Sequence, residues 1–339
     1  MSEPEISVII ITRNRPEMLS DCLGSVTAAL PENIEVLAGV NGPDERAFEV
    51  IARFPGVRAV PLPGICRGEA RNALAADARG RWLCFLDDDT VLPENYFLRL
   101  SALISRHSDA AVFGGGQTLS TAALSFEKAV YALLGSPWGG GPFTERFSPV
   151  SGTRAAGPEK LILCNLTMDR LFLEAHGLAF EGHLTSAEEN LLLNRMAAAG
   201  AEMILSGDLN LVHRRRNNPA QFARQVFSSG RGRAQITALS PKGFAPFTLL
   251  PPLAFASALA AALFMPYFFA IMAAIYLTAS FIFAFSLNAE TAVKRRVLAL
   301  FPVLHAAYAC GWFFGALEGM AGKIFSRPRP WRCGCPKSL

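Results

Sequence analysis

WLCFLDDDTVLP, residues 82–93, runs five largely apolar residues into three consecutive acids, Asp87, Asp88 and Asp89, followed by a proline-marked restart. A short dry run bounded by turn signals reads as a buried strand. Three like charges at its end need a cation, a cluster of hydrogen-bond donors or full solvation. The flanking sequence tells which sheet the strand joins. Residues 6–11, 34–40 and 57–61 read as further strands, and residues 16–30, 45–54 and 67–79 as the helices between them. Such alternation means parallel strands with crossover helices, an α/β doubly wound sheet whose ligands bind beyond the carboxyl ends of its strands. The acidic triplet lies at such an end. Hard divalent cations such as Mg or Mn prefer carboxylate oxygen and usually add substrate phosphates to it; the bland alternative is an acidic loop or cap before a helix starting at Pro93.

At 339 residues the chain can bury a real core without a disulfide or metal staple. Its net charge of +4 is slight, and no long basic tract interleaved with aromatics points to nucleic acid. The seven cysteines lack the paired spacing of a structural zinc site and read as reduced thiols. Cys333 and Cys335 are either a reduced, membrane-adjacent pair or a metal or acylation site.

Composition changes sharply along the chain. Residues 1–243 mix charged and apolar residues as a soluble domain does, whereas residues 244–287 contain no Lys, Arg, Asp or Glu. That stretch is about twice the ~20 residues one helix needs to cross a bilayer, so a hairpin over 246–287 is expected, turning near Met265-Pro266-Tyr267. A third apolar helix, 297–317, follows Lys294-Arg295-Arg296 and precedes a basic tail (Lys323, Arg327, Arg329, Arg332, Lys337). Two spans plus an interfacial or re-entrant third helix keep every basic cluster on the inner side. The N-terminus is too acidic, and its apolar run too short, for a signal peptide. Residues 1–243 are therefore expected on the cytosolic face of the inner (cytoplasmic) membrane, with 244–339 as the membrane region.

SVIIITRNRPEMLSDCLGSV (7–26), RGEARNALAADARGRWLCFLDDDTVLP (67–93), CNLTMDRLFLEAHG (164–177), SAEENLLLNRMAAAGAEM (186–203) and LNLVHRRR (209–216) resemble, in order, the successive motifs of family 2 glycosyltransferases. The resemblance covers about residues 5–235, and the apolar tail resembles those of membrane-bound members. It implies a GT-A fold, Rossmann-like with a doubly wound mixed sheet, and a nucleotide-sugar donor. By the same resemblance Asp87 and Asp88 contact nucleoside and ribose, while Asp89 holds the Mg or Mn that steadies the departing nucleoside diphosphate. Thr12, Arg13 and Asn14 line base and ribose, or simply enter the first helix. Arg67 and Arg71 sit below the nucleotide, where guanidinium and helix N-terminus both suit anions; alternatively Arg71 only pairs with Asp87 or a neighbouring acid. The family's usual Asp before Asn-Gly is Val40 here, so Asn41 or Asp44 substitutes and the base is left open.

An inverting transfer needs a carboxylate to deprotonate the acceptor hydroxyl. Glu189 occupies the family's usual Asp position, with Glu188 as the alternative; the bland reading is that both complement the helix dipole. His213 matches a position supplying a metal or phosphate contact, or is a structural strand-end histidine. His107, His176, His183 and His305 carry no motif. Arg214, Arg215 and Arg216 precede an amphipathic helix over 219–238, whose Phe222, Val226 and Phe227 are expected at the bilayer boundary. Residues 221–225 resemble the QxxRW signature of processive synthases, but Gln225 replaces the Trp, so one sugar per acceptor is expected. Segment 114–160, with Gly114–116 and Gly139–141, reads as an irregular mobile lid. The resulting expectation is an inverting glycosyltransferase acting on a lipid-linked or envelope glycan acceptor. A nucleotidyltransferase and a non-catalytic membrane scaffold are the other two classes the residues allow.

Overall fold

The computed structural model describes residues 4–28, 30–182, 184, 186–239 and 246–320. The elements are, in chain order, β1 (Ile6–Thr12), α1 (Pro16–Thr27), β2 (Ile34–Asn41), α2 (Glu45–Ile51), β3 (Val57–Leu62), α3 (Arg67–Asp77) and β4 (Trp82–Asp87). Next come β5 (Thr90–Val91), α4 (Tyr96–Arg106), β6 (Ala110–Gly114), β7 (Gln117–Thr118), α5 (Ser125–Leu134), α6 (Pro137–Gly140) and β8 (Thr153–Ala155). They are followed by β9 (Asn165–Asp169), α7 (Arg170–Ala175), α8 (Glu188–Ala198), β10 (Glu202–Ser206) and β11 (Leu211–His213). The chain ends in α9 (Pro219–Leu239), α10 (Leu250–Phe264), α11 (Pro266–Ser286) and α12 (Thr291–Met320).

The β-branched run of β1 is covered on both faces, as a central parallel strand requires. It pairs in parallel with β2 on one side and β4 on the other. The eight-stranded order is β3-β2-β1-β4-β9-β6-β10-β8. The chain winds outward from β1 to β3, then returns to place β4 on β1's other side, and this reversal opens a crevice at the carboxyl ends of β1 and β4. Ile11 stands opposite Asp87 in that register. The first four strands are parallel as expected, but β9 runs antiparallel to both β4 and β6. The sheet is therefore mixed. Helices α1, α2 and α4 cover one face and α3, α7 and α8 the other.

The helices over 16–30, 45–54 and 67–79 close two or three residues earlier than their apolar spacing implies. The helix after the triplet starts at Tyr96 and not Pro93, because Thr90 is drawn into β5, its hydroxyl donating to Asp87 O at 2.8 Å. Behind the sheet, buried Glu35 on β2 accepts from Ser7 Oγ (2.6 Å), Arg79 N (2.6 Å) and Arg79 Nε (2.9 Å), fastening β1 and the α3–β4 turn.

Segment 114–160 is not an irregular lid. It carries β7, α5, α6, a 3-10 turn over Gly141–Phe147 and β8. Its glycines serve close packing: a Cβ at Gly115 would lie 2.3 Å from Leu209 O, and one at Gly140 would lie 2.1 Å from Leu134 O.

Three helices are long and apolar enough to cross a membrane: Pro246–Phe264, Pro266–Ser286 and Thr291–Met320. The hairpin turns at Met265, as expected. The outcome for α9 differs from its sequence reading. Phe222 and Val226 are buried in a cluster with Val297, Phe301 and Leu304 of α12 and with α5, so they face protein and not lipid. Phe227 packs its ring 5.9 Å from that of Phe314. The two helices approach closely because both carry glycine at the contact, a Cβ on Gly230 or Gly311 falling 2.1 Å from Tyr308 O or 2.0 Å from Phe227 O. Arg231 forks onto Glu318 at 2.7 and 2.6 Å. The basic tail with Cys333 and Cys335, and His183, lie outside the described residues.

Candidate active site

Cations gather at the triplet. Asp88 and Asp89 are buried, whereas the side chain of Asp87 is 36% exposed. Arg15, just before α1, places Nη1 3.2 Å from Asp88 Oδ1 and 3.0 Å from Asp89 Oδ2. Thr12 Oγ1 donates to Asp88 Oδ2 at 2.8 Å, His213 Nε2 lies 2.9 Å from Asp89 Oδ1, and Arg216 stands 3.7 Å from Asp89. Asp87 takes Arg71 Nη2 at 3.3 Å. Burial and then the charge of Asp89 push Asp88 up to about 6, against Arg15 and Thr12. Asp89 titrates below the ordinary carboxylate range: burial opposes this, but His213, Arg15 and Arg216 outweigh it. Burial likewise opposes charging His213, yet Cys164 and Asp89 raise it above an ordinary histidine.

The small sheet explains how residues 124 apart meet. β11 pairs antiparallel with β5, setting His213 opposite Thr90, and parallel with β7. The other ring nitrogen, Nδ1, is 2.6 Å from Gln117 Oε1, whose amide nitrogen is already donated to Arg146 O. Both ring nitrogens therefore face acceptors, which suits the imidazolium. Cys164 Sγ lies 3.7 Å from Nδ1. Asp87, Cys164 and His213 each present a ligand atom within 4.8 Å of the others. Mg favours oxygen alone, so a set with sulfur and nitrogen does not suit it, and His213 would join such a set only as the neutral imidazole, giving up its proton and one of its acceptors.

Facing the triplet is the start of α8. Ala187 adopts φ 62°, a left-handed conformation that a residue with a Cβ enters only at a cost. It turns Glu188 and Glu189 into one cavity with the triplet. Glu188 accepts from Arg71 Nη1 at 2.6 Å, so Arg71 bridges Asp87 and Glu188 while lining the cavity. Burial, and the charge of Glu189, raise Glu188 against the pull of Arg71. Glu189 Oε1 accepts from Arg146 Nη2 at 2.5 Å and Asn190 Nδ2 at 2.8 Å.

Thr12, Arg13, Asn41 and Arg67 also line this cavity. Asn14 does not; its side chain is exposed, and its N–H donates to Asp44 Oδ2 at 2.7 Å. Asp44 itself caps α2 through Ala47 N, so of the two candidates for reading a base only Asn41 stands at the cavity, holding Ile65 N and O at 3.0 and 2.9 Å. Val40 is in the core. Arg15, Arg146 and Cys164 were not anticipated. Arg15 is the second arginine of the quoted TRNRP turn and Cys164 the first residue of its motif, but Arg146 lies in a stretch with no motif.

Residues 7–126 match the model of the family described as Glycosyl transferase family 2. A solved mannosyltransferase, PcManGT from Pyrobaculum calidifontis, in complex with GDP-Man and Mn2+, aligns with 96% of this chain and 89% of its own at 14% identity and a TM-score of 0.55. Residues 1–349 of TarS from S. aureus, in complex with UDP-GlcNAc, align with 94% of this chain and 92% of their own at 15% identity and a TM-score of 0.53. At such identities the likeness is one of fold. No curated protein sequence matches the chain. The motif order, the mixed sheet and the acid triplet at its crevice agree with these matches: residues 7–126 are similar to glycosyl transferase family 2, and the chain has a GT-A fold followed by helices apolar enough to span a membrane.

Proposed function

We propose that the chain transfers one sugar, with inversion, from a nucleotide-sugar to a hydroxyl of a lipid-linked or envelope glycan acceptor at the cytosolic membrane face. One observation carries this reading: the triplet Asp87–Asp89 and the pair Glu188–Glu189 face each other across a single cavity. The acceptor oxygen attacks the anomeric carbon as its proton passes to Glu189. The anomeric carbon–oxygen bond to the diphosphate breaks, and its electron pair leaves with the nucleoside diphosphate. Arg146 and Asn190 both hold Oε1 of Glu189, so Oε2 is the oxygen left for that proton. Glu188, tied to Arg71, positions the guanidinium that also reaches Asp87. Arg15 and Arg216 add positive charge where the diphosphate would lie. A divalent cation, when bound, supplies Lewis-acid neutralisation of that diphosphate; Asp87, Cys164 and His213, beside Asp89, would hold it. The two neighbours were solved with GDP-Man and UDP-GlcNAc, so guanosine and uridine diphosphosugars are the first donors to screen.

The placement of α12 favours two spans with α12 at the interface. It lies along α9, whose Arg224, Arg231 and Arg233 are at home beside headgroups and not in hydrocarbon.

The decisive experiment is Glu189→Gln. Turnover should fall roughly 10²–10⁴-fold, with release of nucleoside diphosphate and not pyrophosphate in the wild type, while donor-induced thermal stabilisation persists. Full activity in Glu189→Gln with loss in Glu188→Gln would move the base to the preceding residue. Pyrophosphate release would make the chain a nucleotidyltransferase.

A further inference from the structure

The cavity is larger than a nucleotide-sugar needs. Its volume is about 1260 Å³, beyond the ≈300–1,000 Å³ usual for a small-molecule site. The same cavity extends as a branch to α10 and α11, where Phe255, Ala258, Phe269, Met272, Ala273 and Leu277 line it. Phe269 and Leu277 are 38% and 56% exposed, so the branch opens sideways onto the apolar surface of the two helices. Its inner wall is fixed by a polar clamp. Trp138 Nε1 donates to Ser280 Oγ (3.1 Å), its carbonyl lies 3.0 Å from His305 Nε2, and His305 Nδ1 is 2.8 Å from Tyr276 OH.

Beside the carboxylate pair, in the same cavity, two guanidiniums share one neutral oxygen. Arg146 Nη1 and Arg233 Nη2 both donate to Asn190 Oδ1, at 2.7 and 3.0 Å. Arg146 has Glu189 as its partner, but among the described residues Arg233 has no carboxylate in ion-pair contact, resting instead 4.9 Å over the Phe143 ring. Arg146 Nε is buried without an acceptor among the described residues. Burial first, and then the neighbouring charge of Arg146, lower Arg233 to about 10. Crowded, partly desolvated like charges of this kind suit an anionic ligand.

We propose that this branch binds the hydrocarbon chain of a lipid-phosphate carrier, with the phosphate held by Arg146 and Arg233 and the chain passing between α10 and α11. Of the acceptor classes above it selects a sugar joined through phosphate to a long chain, so that the sugar hydroxyl next to the phosphate reaches Glu189. The identification of Glu189's partner rests on the transferase reading; the lipid site rests on the channel and its two arginines.

The test uses the full chain in phosphatidylcholine nanodiscs and a benzophenone-bearing polyprenyl phosphate, with crosslinks mapped by mass spectrometry. Labelling should fall on α10 and α11 and be displaced by unlabelled polyprenyl phosphate, but not by polyprenol, inorganic phosphate, UDP or GDP. Ala258→Phe on α10 and Ala273→Trp on α11, both at positions lining the branch, and Arg233→Gln should each lower labelling roughly ten-fold or more, the worth of one charge-assisted hydrogen bond or of a blocked channel. Stabilisation by UDP or GDP with Mn, read on the same samples, reports the donor site separately. Unchanged labelling in a folded branch-filling variant would overturn the channel. Displacement by UDP or GDP would give the arginines to the donor. Loss of nucleotide stabilisation in the wild type, with labelling intact, would sink the transferase reading and leave the lipid site standing.

Discussion

Asp89 and Asp87 differ in a way the sequence conceals. Asp89 is buried among His213, Arg15 and Arg216, so Asp89→Asn leaves three cations short of their acid and should destabilise the metal-free protein by about 3–5 kcal/mol, measured by denaturant unfolding. Asp87 is partly exposed, holds one long contact to Arg71 and joins the set that would take a metal. Asp87→Asn should therefore keep stability within about 1 kcal/mol while abolishing the extra stabilisation that Mn gives to nucleotide binding, read by thermal shift. Mn-dependent stabilisation persisting in that variant would remove Asp87 from the ligand set. The acids themselves were legible because a charged triplet after a dry strand violates the expected pattern. Arg15, Arg146 and Cys164 were not, because a partner met across the fold leaves no local trace: Glu189 meets Arg146 across 43 residues, and the intervening stretch carries no periodicity pointing to it.

Among elements, the parallel half of the sheet was legible because consecutive strand–helix units obey one topological rule. β9 escaped that rule. It follows the long stretch after β7 and enters between β4 and β6 from the opposite direction, a choice made by pairing and not by local pattern. The face of α9 failed similarly: Phe222 and Val226 announce an apolar stripe, but whether lipid or α12 covers it depends on a helix some seventy residues downstream. A testable joint in the parallel half is Glu35. Burial opposes its charge, but hydrogen bonds from Ser7 and Arg79 win and hold it below the ordinary glutamate value. A carboxylate depressed in the folded state stabilises fully above its unfolded value and loses that contribution as pH falls through the folded one. Glu35→Gln should cost roughly 1–3 kcal/mol at neutral pH, with the gap to wild type closing in unfolding series below about pH 4.

For the molecule as a whole, the contact between α9 and α12 joins the part built on the sheet to the apolar helices. Gly311→Leu would drive a side chain into the backbone of Phe227 and should lower the unfolding midpoint by the equivalent of at least 1–3 kcal/mol. An unchanged midpoint would show that the two helices are not pressed together. On the proposed topology, a membrane-impermeant thiol reagent should reach Cys333 and Cys335 only after cell lysis; labelling of intact cells would establish a third crossing.

Distance along the chain also sets a timetable. The contacts that complete the site join Arg71 to Glu188 across 117 residues and Asp89 to His213 across 124. At the ≈5–20 residues per second of synthesis, about ten seconds separate the emergence of the triplet from that of its histidine. Arg15 precedes the triplet and is the counter-charge already made, so the nascent sheet need not wait with its acids bare. Ribosome-stalled chains released just short of His213 should then show a protease-resistant β1–β4 core that binds no nucleotide, and the apolar helices would emerge only after the chemistry is in place.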